Sequence, residues 1–131
     1  MRLIIAGSRN ITDYAIVWAA ISEALAKFDA PRVACVLSGC ANGVDKLGER
    51  WAVEHSVPIK PYPAKWDLYG KYAGRLRNAQ MACEADALVA VWDGQSPGTK
   101  HMIEIAKGKG LLVHVYSTKN ENSGANSDVG C

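Results

Sequence analysis

The chain has 131 residues, a hydrophobic fraction of 49% and a formal net charge of +2. This length is typical of one domain, and this composition is that of a globular core rather than a disordered chain. The small net charge does not by itself indicate DNA wrapping or attachment to an anionic membrane, and no apolar run approaches the roughly 20 residues that cross a bilayer.

The start of the chain and its cysteines predict a reducing compartment. Met1 leads directly into an apolar segment without the pattern of a signal peptide. The cysteines form no CxxC pair and have no histidine at a zinc-site spacing; they are Cys35, Cys40, Cys83 and Cys131. We therefore expect structural thiols in a cytoplasmic protein, with no metal, no cofactor and no membrane partner.

Strand-length apolar runs alternate with helical patterns along the chain. The predicted strands cover residues 2–6, 33–37, 57–62, 87–92 and 111–116. Several are apolar at nearly every position, as expected for parallel strands that are buried on both faces. Apolar residues recur at helical spacing in both connections before the third strand, and Thr12 or Asp13 can cap the first helix. Two more helices are predicted at about residues 72–83 and 98–109.

This alternation predicts an α/β fold with right-handed crossovers. We expect a Rossmann-like, doubly wound, mostly parallel five-stranded sheet of order 3-2-1-4-5, with helices on both faces. The topological switch point then lies between the first and fourth strands, at their carboxyl ends. The domain is predicted to span residues 1–116, followed by a polar, disordered tail at residues 117–131.

Three turns rich in glycine and hydroxyl side chains follow the first, second and fourth predicted strands. Their candidate ligand-binding residues are Gly7, Ser8 and Arg9; Ser38, Gly39 and Gly43; and Gly94, Ser96, Gly98 and Thr99. Carboxyl ends of parallel strands meet at one sheet edge, and helix N-termini there present unpaired N–H groups to anions. No turn matches the Walker A or GxGxxG pattern. The turns therefore predict a phosphate site for a nucleotide-type ligand, without the form of a P-loop NTPase or NAD enzyme.

An aromatic and basic connection follows the third strand. The functional interpretation is a lid in which Trp66 or Tyr69 stacks on a base. Arg77, with Asn78 beside it, would contact phosphate or ribose. In the alternative interpretation, the rings only cover the end of the sheet and the basic groups are solvated.

The acidic and histidine candidates have equally plain structural alternatives. Asp45 could accept from a ribose hydroxyl or cap a helix, and Asp93 could bind ligand or orient its own loop. Glu104 and His101 lie on the last helix, where a solvated face is the default. No Ser-His-Asp or Cys-His arrangement is legible.

Six motifs resemble the YspA-like branch of the SLOG superfamily, which includes the DprA/Smf and LOG proteins. They are GSR (7–9), SGCANGVD (38–45), PAKW (63–66), YGKYAG (69–74), RNAQM (77–81) and WDGQSPGT (92–99). The resemblance covers about residues 1–116. It implies a Rossmann-like fold, a nucleotide or nucleotide-derived ligand at the carboxyl edge of the sheet, and a bacterial or phage setting.

The related enzymes imply a reaction, N-glycosidic or phosphoribosyl hydrolysis of a nucleotide. Their R-K-x-x-M motif is matched at Arg77 and Met81, with Asn78 in place of lysine. Their glutamate, three residues after the threonine of a glycine-rich motif, falls on Met102, which cannot exchange a proton. The catalytic candidates that the resemblance leaves are Arg77, Glu104 and Asp93.

Two other functions stay open. Similarity to DprA implies single-stranded nucleic-acid binding, although the low net charge counts against it. A modest groove for it could come from Lys65, Lys71, Arg75 and Arg77 beside Trp66 and Tyr69. The third alternative is a sensor or scaffold without catalysis. The relatives also suggest a homo-oligomer.

Overall fold

The computed structural model describes residues 1–30 and 32–118. Its five strands form a single parallel sheet of order β3-β2-β1-β4-β5, which confirms the predicted α/β fold and strand order. The strands are β1 (Arg2–Gly7), β2 (Cys35–Ser38), β3 (Ile59–Pro61), β4 (Ala87–Trp92) and β5 (Leu112–Ser117).

Four long helices and one short one connect the strands. They are α1 (Tyr14–Phe28), α2 (Val44–Glu54), the one-turn α3 (Trp66–Tyr69), α4 (Ala73–Glu84) and α5 (Pro97–Gly108). Asp13 is the N-cap of α1, because its Oδ1 accepts from the amide of Ala15 at 3.0 Å. A 3-10 turn (Gly70–Tyr72) joins α3 to α4.

The sheet is buried on both faces, and β1 shows how. Leu3 and Ile5 pack in one apolar cluster with residues of α1 and α2. Ile4 and Ala6 pack in a second cluster with residues of α4 and α5. Successive strand side chains point to opposite faces, so a continuous apolar strand fills both layers.

The third strand is shorter than its sequence predicts. Residues 57–62 were expected to form a strand, but β3 has three residues, the last of which is Pro61. Proline has no amide N–H for a ladder and is tolerated at a sheet edge, where β3 lies. The Tyr62 amide still donates to the carbonyl of Ser38 at 2.7 Å, so the next connection starts beside the end of β2.

The carboxyl ends of β1 and β4 are adjacent, and the chain leaves them toward opposite faces of the sheet. After β1 it continues to α1, and after β4 to α5, which pack on different faces. A crevice forms where neighbouring crossovers diverge in this way. The predicted switch point is therefore confirmed at β1 and β4.

The end of the described chain adds one detail to the predicted tail. Ser117 is the last residue of β5, and Thr118 is buried with its amide donating to the Trp92 carbonyl at 2.9 Å. The rest of the predicted tail, residues 119–131, lies outside the described residues. Within the described ranges, none of the helices has both the length and the apolar character needed to span a bilayer.

Candidate functional site

A cleft of about 340 Å³ lies at the carboxyl edge of the sheet. Its lining comes from the end of β1, the turn after β2, the connection after β3, and the N-terminal halves of α4 and α5. The residues that line it are Ala6, Gly7, Arg9, Ala41, Asp45, Trp66, Lys71, Gly74, Arg75, Arg77, Asn78, Met81, Ser96, Pro97, Gly98, Thr99, His101 and Met102. Four of these are arginines or lysines and one is a carboxylate, so the cleft is cationic.

The turn after β1 is held tightly against the turn after β4. A Cβ on Gly7 would lie 2.2 Å from the carbonyl oxygen of Val91, so only glycine fits this approach. Ser8 is buried, and its Oγ accepts from the Asp93 amide at 3.1 Å. The Ser8 hydroxyl is thereby used within the fold, while exposed Arg9 extends from this turn into the cleft lining.

The turn after β2 depends on glycine in a similar way. Gly43 has φ +79°, and a Cβ there would lie 2.5 Å from the carbonyl oxygen of Arg9. Ser38 donates from Oγ to Glu49 at 2.6 Å and accepts from the Cys40 amide at 3.1 Å. Fully buried Ser38 therefore organises the turn and is absent from the lining of the cleft.

Arg77 is the central side chain of the site. The side chain of Arg77 extends from α4, and its Nη1 donates to the carbonyl of Gly39. A Cβ on Gly39 would lie 2.4 Å from Nη1 and 2.8 Å from Asp45 Oδ2, so glycine at position 39 makes room for both charged groups. Burial lowers the pKa of Arg77, and the neighbouring carboxylate of Asp45 opposes that shift. An arginine nevertheless stays charged, so Arg77 is a partly buried cation.

Asp45 is the carboxylate of the cleft. It is 6% exposed, and its Oδ2 accepts from the Ala41 amide at 3.2 Å. Burial raises its pKa to about 6, against the opposing effects of the Ala41 amide and of Arg77. Asp45 therefore stabilises the turn after β2 through the Ala41 amide and partly neutralises the positive charge of Arg77.

Asn78 links α4 to α5. Arg77 Nε donates to its Oδ1 at 3.0 Å, and its Nδ2 lies 3.0 Å from Nδ1 of His101 and 3.4 Å from the Gly98 carbonyl. The sequence favours a solvated helix face for His101, which is not among the predicted binding residues, yet His101 lines the cleft. The sequence feature that could have identified His101 is its position three residues after Gly98, which puts both residues on one helix face.

The N-terminus of α5 faces the cleft. Ser96 is its N-cap residue, but no side chain caps the first-turn amides, and Ser96 Oγ instead lies 3.2 Å from Thr99 Oγ1. A Cβ on Gly98 would meet nothing within 4 Å, so the backbone here borders open space. The amides of Gly98 and Thr99 are among the first-turn groups that a helix leaves without an internal partner.

Asp93 shapes the loop before α5. Its Oδ1 accepts from the amides of Gln95 at 2.8 Å and Ser96 at 2.9 Å, and these bonds lower its pKa. Gly94, which lies between Asp93 and Gln95, has φ +85°. Neither Asp93 nor Gly94 is in the lining of the cleft, so the loop-orienting alternative describes the position of Asp93.

The remaining predicted residues divide between the cleft and its surroundings. Trp66 lines the cleft and is 50% exposed. Tyr69 lies outside it, in a neighbouring groove with Leu76 and the other side of Arg77. Glu104 is exposed on α5 and outside the lining, whereas Met102, which occupies the position of the related enzymes' glutamate, lines it.

Cysteine and metal-ligand geometry add no second centre within the described ranges. Cys35 and Cys40 are partly buried free thiols, and Cys83 is an exposed one. Among residues 1–30 and 32–118, no three histidine, cysteine, aspartate or glutamate side chains are arranged to hold a metal ion.

The fold and the cleft define a doubly wound α/β domain with a cationic crevice at its switch point. The YspA, cpYpsA-related SLOG family (YAcAr) matches residues 1–69, and the chain belongs to this family. It is also similar to the Gene 61 protein of Mycobacterium phage D29, with 34% identity over 124 residues that cover 90% of this chain and 98% of that protein. No solved structure matches the chain significantly. Family membership implies a nucleotide-related ligand in general terms.

Proposed function

We propose that this cleft binds a nucleotide-derived anion. The observation that carries the proposal is the convergence of Arg9, Arg77 and the uncapped N-terminus of α5 on one cavity. Helix N-termini bind phosphate through N–H groups and the helix dipole, and arginine adds charge-assisted hydrogen bonds. The phosphate would lie on the Gly98 and Thr99 amides.

The cleft also contains a side chain that suits an aromatic base. Trp66 offers a half-exposed ring in its lining. Base–aromatic stacking stabilises nucleotide binding with little dependence on base identity. A nucleoside monophosphate or a similarly sized derivative therefore fits both the cationic and the aromatic part of the lining.

Binding is favoured over N-glycosidic hydrolysis. The two carboxylates that sequence analysis offered as acid–base groups, Glu104 and Asp93, are outside the lining. Asp45 is in it but already accepts a backbone hydrogen bond and faces Arg77. A general acid or base must reach the proton that it transfers, and neither Glu104 nor Asp93 is among the residues that line the cleft.

Calorimetry with nucleoside monophosphates and ADP-ribose tests this function, with chromatography of the same mixtures for released base. We expect saturable binding without free base. Arg9→Ala should weaken the binding, because Arg9 supplies a positive charge to the cleft. Since Arg9 is exposed, its removal should leave the fold intact. Arg50→Ala on α2 is the matched control, since Arg50 lies outside the cleft and pairs with Glu54. Absence of binding across the set, or equal loss in both variants, would contradict the proposal.

Single-stranded nucleic acid is a second candidate, favoured by the surface beside the cleft. Trp66, Tyr69 and Tyr72 are all exposed, and Nζ of Lys71 lies 5.8 Å from the ring centroid of Tyr72. Interleaved rings and cations of this kind suit stacked bases and their phosphates. Oligonucleotide affinity that falls steeply with salt would support this function, and absence of oligonucleotide binding would remove it.

A further inference from the structure

The side chain of Asn78 fixes the direction of hydrogen bonding between α4 and α5. Nε of Arg77 can only donate, so the Asn78 atom that it meets at 3.0 Å is the amide oxygen. The amide nitrogen of Asn78 therefore faces His101 Nδ1, which lies 3.0 Å away. An amide nitrogen also only donates, so Nδ1 must accept and cannot carry a hydrogen atom.

His101 is thereby set as an imidazole whose proton is on Nε2. Nε2 has no hydrogen-bond partner among residues 1–30 and 32–118, and the partly buried side chain lines the cleft. Burial and Arg75 of α4 lower the pKa of His101, Glu104 of its own helix opposes them, and Lys71 lines the same cleft. At neutral pH the ring is uncharged and donates from one atom.

On the basis of the proposed ligand site, we propose that His101 donates its Nε2–H to a phosphate oxygen of the ligand, and that Asn78 is the positioning residue that sets this tautomer. His101 follows Gly98 by three residues, so both lie on one face of α5. A phosphate on the first-turn amides is then close to the ring. An uncharged donor adds a directed hydrogen bond to a site where Arg9 and Arg77 already supply charge.

Long-range ¹H–¹⁵N spectra of the imidazoles at pH 7.5 read the tautomer without any ligand, with His101 assigned by loss of its signals in His101→Gln. We expect an unprotonated Nδ1 and a protonated Nε2. In Asn78→Asp the new carboxylate only accepts, so the proton should move to Nδ1 and the pKa of His101 should rise. A wild-type ring with a protonated Nδ1, or an unchanged tautomer in a folded Asn78→Asp, would overturn the assignment to Asn78.

Calorimetry with AMP tests the donor role. His101→Phe keeps a ring without a donor and should lose about tenfold or more in affinity, the value of a hydrogen bond to a charged acceptor. His101→Gln, whose amide can donate from a similar position, should retain most of it. Affinity of His101→Phe equal to that of the wild type would overturn the donor role alone. Wild-type protein that binds neither AMP nor inorganic phosphate would contradict the proposed function and the donor role, while the ligand-free tautomer would still decide what Asn78 does.

Discussion

The position of the Arg77 side chain requires a glycine at residue 39. The guanidinium donates to the Gly39 carbonyl, and the space in which a Cβ of residue 39 would stand is occupied by Nη1 and by the Asp45 carboxylate. The turn after β2 thus holds an arginine of α4 in the lining of the cleft. We expect ligand binding to depend on this contact.

Gly39→Ala should therefore displace Arg77. A Cβ 2.4 Å from Nη1 forces the guanidinium to move, and we expect AMP affinity to fall about tenfold, within the range for loss of a charge-assisted contact. Gly108→Ala is the matched control, because its Cβ would meet nothing within 4 Å at the end of α5. Calorimetry with AMP on both variants shows whether the loss of affinity is specific to position 39. Equal affinity in Gly39→Ala and wild type would show that Arg77 does not contribute from this position.

Gly43→Ala should destabilise the fold through steric contact as well as backbone strain. Gly43 and Gly110 have similar φ values of +79° and +81°, but a Cβ would lie 2.5 Å from the Arg9 carbonyl at position 43 and would meet nothing within 4 Å at position 110. A positive φ costs a non-glycine residue about 1–2 kcal/mol, and at Gly43 the ψ of −130° adds strain because it lies outside the left-handed helical region. Urea unfolding should show a larger loss for Gly43→Ala than for Gly110→Ala. Equal losses would mean that the turns after β1 and β2 can separate freely.

The buried carboxyl of Asp45 predicts a pH dependence of stability. Its pKa is raised from 3.8 to about 6, so the folded state holds a proton that the unfolded state has already lost in this range. The free energy of unfolding therefore decreases as pH rises from about 4 to about 7, by roughly 2–3 kcal/mol, and is constant in this respect at higher pH.

Asp45→Asn removes this titration. Urea unfolding at several pH values should show that the free energy of unfolding of the variant increases, relative to that of the wild type, between pH 4 and pH 7. Both proteins should then differ by a fixed amount at higher pH. A difference that is independent of pH across the whole range would contradict a raised pKa at Asp45.

Trp66 should contribute to binding only when the ligand carries a base. Trp66→Ala is expected to weaken AMP by about tenfold, since stacking on a base is worth about 1–3 kcal/mol, and to leave ribose 5-phosphate unchanged. Trp18→Ala provides a control of equal exposure, because Trp18 on α1 is 49% exposed against 50% for Trp66, and lies outside the cleft. A loss that is the same for both ligands would contradict stacking.

The fold could be predicted because its signals are local and periodic. Continuous apolar runs identified buried parallel strands, and the alternation with helices fixed a strand order that β1 confirms by pairing with both β2 and β4. β3 was predicted too long, since apolar character alone does not show where pairing with β2 begins and ends.

The site was predictable as a set of turns but not as a set of side-chain directions. The glycine-rich turns indicated this edge of the sheet, and Gly7, Gly98 and Arg77 line the cleft there. That they bind a ligand stays a prediction. Hydroxyl and acidic side chains were harder, because Ser8 and Asp93 have partners within the chain that only the packed turns reveal. The spacing from Gly98 indicates the helix face of His101, but its contact with Asn78 joins two helices, and no sequence spacing encodes that contact.

The most direct measurement is a crystal structure of this chain with AMP. The account predicts phosphate density on the amides of Gly98 and Thr99, with Arg77 still on the Gly39 carbonyl and the base against Trp66. Phosphate bound elsewhere, for example in the groove beside Tyr69 and Leu76, or a cleft that stays empty at saturating AMP, would contradict it.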